Sequence, residues 1–258
     1  MPPNPSVEAR PNGKIRYALL VVALAGAIGA AGANPTSDPT QGERAPAAVL
    51  YIGNSYTYFH HMPATVSAMA RAKESPREIH AKVVAVPAAT LKRHWDSGAA
   101  QSAIHERKWD YVVLQEQSLL PLEQKERMYE YVRLLDREIK LSGAKTVLLL
   151  TWARRDQPET QLALSAAYHA IAQELGAVVA PVGPAWQIAR QDTPAASLYE
   201  PDGSHPTADG SYLTACVLYL TLQHTETQCP VPQGDGVAVR SVDPLRAAAA
   251  SAIAKQRR

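Results

Sequence analysis

Several features are scarce in this sequence, and each scarcity narrows what the chain can be. Only two cysteines occur, Cys216 and Cys229, so at most one disulfide can form within the chain. No Lys/Arg stripe argues for a nucleic-acid surface. The single long apolar run, residues 17–33, is rich in Ala and Gly and falls short of the ~20 strongly apolar residues that span a bilayer. No cysteine follows it, so a lipoprotein anchor has no attachment point. There is no internal repeat and no long apolar segment that would make a lid. The adjacent His60 and His61 lack a third ligand at the fixed spacing a zinc site needs.

What is present at the N-terminus is an address. Arg10, Lys14 and Arg16 precede "YALLVVALAGAIGAAGA", which closes on the small residues Ala31-Gly32-Ala33, the pattern of a secretory signal peptide. The expectation is a signal peptide over residues 1–33, a flexible Pro/Thr-rich lead-in over 34–46 and one domain over 47–258, exported to the periplasm or secreted, with no stable membrane span after cleavage. An uncleaved anchor is the alternative. Taking three from the 26 basic residues and one from the 24 acidic ones leaves 23 of each in the expected mature chain. Its charge is near zero, and the basic pI of the whole chain carries no message about partners.

Beyond residue 46, short apolar runs alternate with longer amphipathic ones, the pattern of a parallel sheet flanked by helices. Candidate strands are residues 47–53, 81–87, 109–115, 144–152 and 177–182. Met128, Tyr131, Val132, Leu135 and Ile139 recur at helical spacing before Gly143, and Leu164, Tyr168, Ile171 and Leu175 do so before Gly176; both glycines stand where a C-terminal cap belongs. "SYLTACVLYLTLQ" and "DPLRAAAASAIAKQ" read as closing helices. Cys216 lies in the first of these, as a small core residue or as half of a disulfide with Cys229. A loop of that size would contribute about 3 kcal/mol if closed.

The first strand stops at Gly53-Asn54-Ser55. A serine just past the carboxyl end of a parallel strand stands where open α/β sheets bind ligands, and it is equally suited to capping a helix. A base elsewhere decides between the two. In "EPDGSHPTADGSY", Asp202 and His205 are three apart, in a loop that Pro206 is expected to end by opening a helix. At this spacing the carboxylate can hold one imidazole nitrogen and leave the other to take a proton from a serine hydroxyl.

Together, "YIGNSYTY", "WDYVVLQEQS", "TWARRDQP" and "YEPDGSHPTADGSYLTACV" resemble the SGNH (GDSL-like) hydrolases, in an exported bacterial branch, over roughly residues 49–222. The resemblance implies a three-layer α/β/α sandwich with a flavodoxin-like parallel five-stranded sheet. It makes Ser55 the nucleophile, His205 the general base and Asp202 its orienting partner. It also implies an oxyanion hole from the Ser55 N–H, a second-block residue and a third-block side chain. Where the family has glycine the chain has Pro87-Ala88, so Ala88 supplies the N–H; where the family has asparagine it has Gln117, with Gln115 as the competing assignment.

Asn54, Trp95 and Arg154 are the candidate substrate contacts, the last because it follows the fourth strand on the same sheet edge as Ser55 and suits a polar or anionic substrate. His60 and His61 are expected to line the cleft or face solvent, and His94 to form part of the pocket wall. No metal or cofactor is needed. The expected function is an exported serine esterase acting on small acyl esters through an acyl-enzyme, with carbohydrate O-acetyl groups favoured because the segment after Ser55 is polar-aromatic. A lipid ester hydrolase of lysophospholipase type, an acyltransferase and a non-catalytic glycan-binding module are the alternatives.

Overall fold

A computed structural model of the chain describes residues 45–72, 75–193, 196–225, 228–232 and 242–257. The expected signal peptide and most of the lead-in lie outside the described residues. The five apolar runs form β1 (Ala47–Gly53), β2 (Ile79–Ala85), β3 (Tyr111–Leu114), β4 (Lys145–Leu149) and β5 (Val178–Ala180). All pairs are parallel, in the order β2-β1-β3-β4-β5. β1 is buried along its whole length and is apolar at every position but its terminal glycine because helices cover both of its faces.

After β1 come α1 (Ser55–Tyr58) and α2 (Met62–Ala70); after β2, α3 (Leu91–Asp96) and α4 (Ala99–His105). After β3 come α5 (Leu120–Glu123) and α6 (Lys125–Leu141), and after β4, α7 (Gln161–Leu175). α8 (Val182–Asp192), α9 (Ala208–Gln223) and α10 (Val242–Gln256) follow β5. Successive strand residues point to opposite faces, and two cores result. Val49, Tyr51, Val113, Val147 and Leu149 pack with α2, α8, α9 and α10. Leu50, Ile52, Val112, Leu114 and Leu148 pack with α3, α4, α6 and α7. This is the three-layer α/β/α sandwich with a flavodoxin-like sheet. Gly143 and Gly176, at φ +83° and +62°, close α6 and α7 with the left-handed turn glycine adopts most cheaply.

The strand order turns around at β1, which has β2 on one side and β3 on the other. The loops leaving β1 and β3 therefore diverge and open a crevice at the carboxyl edge of the sheet. No helix among the described residues is long and apolar enough to cross a membrane. A disulfide joins Cys216 of α9 to Cys229, with Cα atoms 5.3 Å apart and both residues fully buried.

Some boundaries differ from expectation. β2 begins and ends two residues earlier than residues 81–87, because Ile79 and His80 pair with Ala47 and Ala48 while Val86 enters a turn. Pro206 does not open a helix: it bridges to Tyr199, and α9 begins at Ala208 with Thr207 as its cap, accepting the Gly210 N–H at 3.2 Å.

Candidate active site

Ser55 is the first residue of α1, and buried hydrogen bonds set its position. Gln115, just past β3, accepts through Oε1 from the Asn54 N–H and the Thr57 hydroxyl, both at 2.9 Å, and donates through Nε2 to the Glu116 carbonyl at 2.5 Å. Asn54 caps α1 by accepting the Tyr56 N–H at 3.1 Å, and its amide donates to the Ala89 carbonyl at 3.0 Å. A Cβ on Gly53 would lie 2.3 Å from Thr57 Oγ1 and 2.6 Å from Gln115 Oε1, so the nucleophile turn admits only glycine there. The buried His94 donates from Nε2 to the Gly53 carbonyl at 2.8 Å. Burial pushes its imidazole below the usual range, which keeps it a neutral donor.

From 150 residues away in sequence, His205 brings Nε2 to 2.9 Å from Ser55 Oγ. Its Nδ1 donates to Asp202 Oδ2 at 2.5 Å, which leaves Nε2 free to accept the serine proton. Asp202 Oδ1 accepts the N–H groups of Ser204 and His205 at 2.8 and 2.9 Å. Burial raises the Asp202 carboxyl, but the His205 ring, these two N–H groups and the His205 charge outweigh it and hold the pKa at about 2. The loop is pinned to the segment after β4: Trp152 Nε1 donates to the Ser204 carbonyl at 3.0 Å and the Arg155 N–H to the Gly203 carbonyl at 2.9 Å.

Rings pack behind and beside the base. Phe59 stacks on His205 at 4.7 Å between centroids, and Tyr56 meets it edge-on at 5.6 Å. Tyr56 stacks in turn on Trp152 at 4.4 Å, and Trp152 on Trp186 at 4.0 Å. The Tyr56 hydroxyl lies 2.5 Å from Ser204 Oγ, tying the nucleophile turn to the histidine loop.

Three donors make up the expected oxyanion hole. The Ser55 N–H opens a helical turn and so has no partner within it. Ala88 is the third residue of a turn closed by the Ala89 N–H on the Val86 carbonyl at 3.1 Å. With Pro87 before it and φ +54°, this is a type II turn whose third position favours glycine; the alanine backbone accepts the left-handed angle and keeps its N–H. Gln117 accepts the N–H groups of Leu119 and Leu120 on Oε1 at 2.9 and 3.1 Å, so its amide nitrogen remains as the donating end. Beneath it the buried Glu116 accepts the Gln117 N–H at 2.7 Å and the Leu91 N–H at 3.2 Å. Burial raises its pKa to about 7 against the pull of those N–H groups and of the Arg127 charge.

No family model and no curated protein matches the sequence. Solved structures do. A protein from Slackia heliotrinireducens described as a candidate SGNH hydrolase is 28% identical, with a TM-score of 0.57, over 69% of this chain and 99% of its own. The chain belongs to the SGNH-like hydrolase superfamily. A DUF4886 family protein from Bacteroides uniformis shares the fold at 20% identity and a TM-score of 0.63, covering 83% of this chain and 96% of its own. So does an acetyl-xylooligosaccharide esterase from a Geobacillus species, at 15% identity and a TM-score of 0.53 over 70% and 94%.

In this SGNH-like hydrolase, Ser55, His205 and Asp202 come together, while two of the expected substrate contacts do not face a substrate. Both ends of the buried Asn54 amide are engaged with backbone, so it fastens the nucleophile turn to the second block. Trp95 is half-buried against the core on the α3/α6 side of the sheet, and is packing. Gln115, the competing oxyanion assignment, is buried with its oxygen on Asn54 and Thr57 and one amide hydrogen on the Glu116 carbonyl, which makes it a brace of the nucleophile turn. Sequence reasoning missed Tyr56, Glu116 and Ser204, and placed His94 in the pocket wall where it braces Gly53. For Tyr56 the signal was its adjacency to the serine; for the others the partners are distant in sequence and leave no local pattern.

Proposed function

We propose that the protein is an exported serine esterase that removes small acyl groups, O-acetyl above all, from carbohydrate. The observation that carries the reading is the Ser55 hydroxyl 2.9 Å from His205 Nε2, with the other ring nitrogen on a carboxylate that is ionised at any working pH. Ser55 Oγ attacks the ester carbonyl as His205 takes its proton. The oxyanion is met by the N–H groups of Ser55 and Ala88 and the Gln117 amide, donors fixed before the charge develops. Collapse expels the alcohol, which takes the proton back from His205 and leaves an acyl-Ser55 ester. Water, deprotonated by the same imidazole, then releases the acid.

Carbohydrate is favoured by the polar-aromatic run Tyr56, Tyr58, Phe59, His60 and His61 beside the nucleophile and by the acetyl-xylooligosaccharide esterase among the fold neighbours. Export is supported by the N-terminal basic and apolar pattern and by a disulfide, which persists in oxidising compartments. The test is a serine-directed fluorophosphonate with acetate release from acetylated xylooligosaccharides as the second readout. Labelling and release that both vanish in Ser55→Ala are expected. Folded wild-type protein that is neither labelled nor active would overturn the reading in favour of a glycan-binding module.

A further inference from the structure

Arg154, on the segment that follows β4 and holds the histidine loop, has no counterion among the described residues. The residues on either side of it are committed to the histidine loop: the Trp152 indole donates to Ser204 and the Arg155 N–H to Gly203. Five other arginines are occupied: Arg77 with Asp110, Arg133 with Glu174, Arg246 with Asp243, Arg190 with the Tyr199 ring and the Arg155 carbonyl, Arg155 with the Pro201 carbonyl; Arg127 also has a buried Nε without a partner, but its charge acts on the buried Glu116. The Arg154 guanidinium makes no ion pair or hydrogen bond among the described residues, and its Nε is buried with no partner. Two carboxylates of the histidine loop are engaged elsewhere: Asp202 holds His205, and Glu200 lies 3.5 Å from His60.

Tyr56 links the nucleophile turn to the same loop. Its hydroxyl touches Ser204 and feels the Arg154 charge, which lowers its pKa against the burial that raises it. Arg154 itself lies between Trp152, bonded to the Ser204 carbonyl, and Arg155, bonded to the Gly203 carbonyl, so it sits on the segment that holds the loop of His205. A half-buried guanidinium with an orphan N–H is costly to maintain unless something pairs with it, and its planar fork of donors matches a carboxylate or a phosphate.

We propose that Arg154 recognises an anionic group, carboxylate or phosphate, carried by the ester substrate. This rests on Ser55 being the acyl-accepting nucleophile and narrows the substrate to an acidic one: an acetylated uronic acid if the anion is a carboxylate, a phosphorylated ester if it is a phosphate.

The test compares kcat/KM for three matched acetyl esters: of methyl glucoside, of methyl glucuronide and of a glucose 6-phosphate. Wild-type enzyme is expected to favour one anionic ester over the neutral one by roughly 10- to 100-fold, the range of a charged hydrogen bond. That ratio should fall toward one in Arg154→Ala and Arg154→Gln, persist in part in Arg154→Lys, lie in KM more than in kcat, and shrink as salt rises. Whichever anion is preferred identifies the source. A wild-type ratio near one for both anions overturns the proposal, as does a ratio unchanged in Arg154→Ala and Arg154→Gln. Fluorophosphonate labelling separates this from failure of the esterase reading itself. In unlabelled protein, calorimetric titration with glucuronate and glucose 6-phosphate still decides: binding of either that is lost in Arg154→Gln supports the site, and equal or absent binding in both proteins overturns it.

Discussion

Replacing Glu116 by Gln should flatten the pH dependence of stability. Glu116 is 1% exposed, and burial moves its pKa from 4.5 to about 7. A carboxyl whose folded pKa lies above its unfolded value contributes stability that is fully present below the unfolded value, is lost as pH rises toward the folded one, and stays lost above it. The window is therefore about pH 4.5 to 7. One pKa unit corresponds to about 1.4 kcal/mol, so between pH 5 and pH 8 this single group should remove about 2 to 3 kcal/mol from the wild-type protein. The glutamine oxygen can still accept the Gln117 and Leu91 N–H groups and has no proton to lose. Urea unfolding of both proteins at pH 5 and pH 8 measures the difference. The variant should gain about 2 to 3 kcal/mol on wild type between the two conditions. If the two proteins change in parallel with pH, the Glu116 carboxyl is not being ionised in a dry site and the reasoning fails.

Gln117→Ala should lower kcat by about 10²- to 10³-fold with little change in KM, the usual loss of one oxyanion donor; near-normal turnover in steady-state assays would remove the amide from the mechanism. His205→Ala should abolish the acid limb of the kcat/KM profile along with most of the activity, because the base must be neutral to accept the Ser55 proton. Asp202→Asn should cost less than His205→Ala, since the Ser204 and His205 N–H groups can still hold the loop through the remaining oxygen; a larger loss in pH-rate measurements would show that the carboxylate charge itself is indispensable. Cys216→Ser with Cys229→Ser should lose about 3 kcal/mol in denaturant unfolding, the chain-entropy value for a loop of this size, and an unchanged midpoint would place the stabilisation elsewhere.

The inner strands were legible because they are buried on two sides and read as apolar runs: Val49 to Ile52 and Val112 to Leu114 have no polar interruption. The helices α6 and α7 were legible from their stripes and terminal glycines. Edge strand β2 was displaced by two residues because half of it is solvent-facing and its register is set by pairing with β1, which no local pattern encodes. At the site, the nucleophile and the D-x-x-H loop announced themselves by residue type, and the contacts that orient them did not. Asn54 looked like a substrate contact because it precedes the serine, although an asparagine before a helical turn is also a preferred cap. Tyr56 and Ser204 are 148 residues apart, and only the folded topology joins them. Glu116 sat unnoticed between two glutamines, since a carboxylate becomes unusual only once its burial is known.

The stacked rings behind the histidine have an optical consequence. Two of the four tryptophans, Trp152 and Trp186, lie 4.0 Å apart with planes 1° from parallel, and Tyr56 covers the other face of Trp152. Indole transition dipoles held that close and that rigidly couple to one another, so the wall of the site carries its own chromophore. The Trp152 indole N–H is bound to Ser204, the neighbour of His205, and any displacement of the histidine loop must therefore alter the coupled absorption. Near-ultraviolet circular dichroism can follow the arrangement of the catalytic loop in the absence of turnover, with no label added, including in variants that have lost all activity.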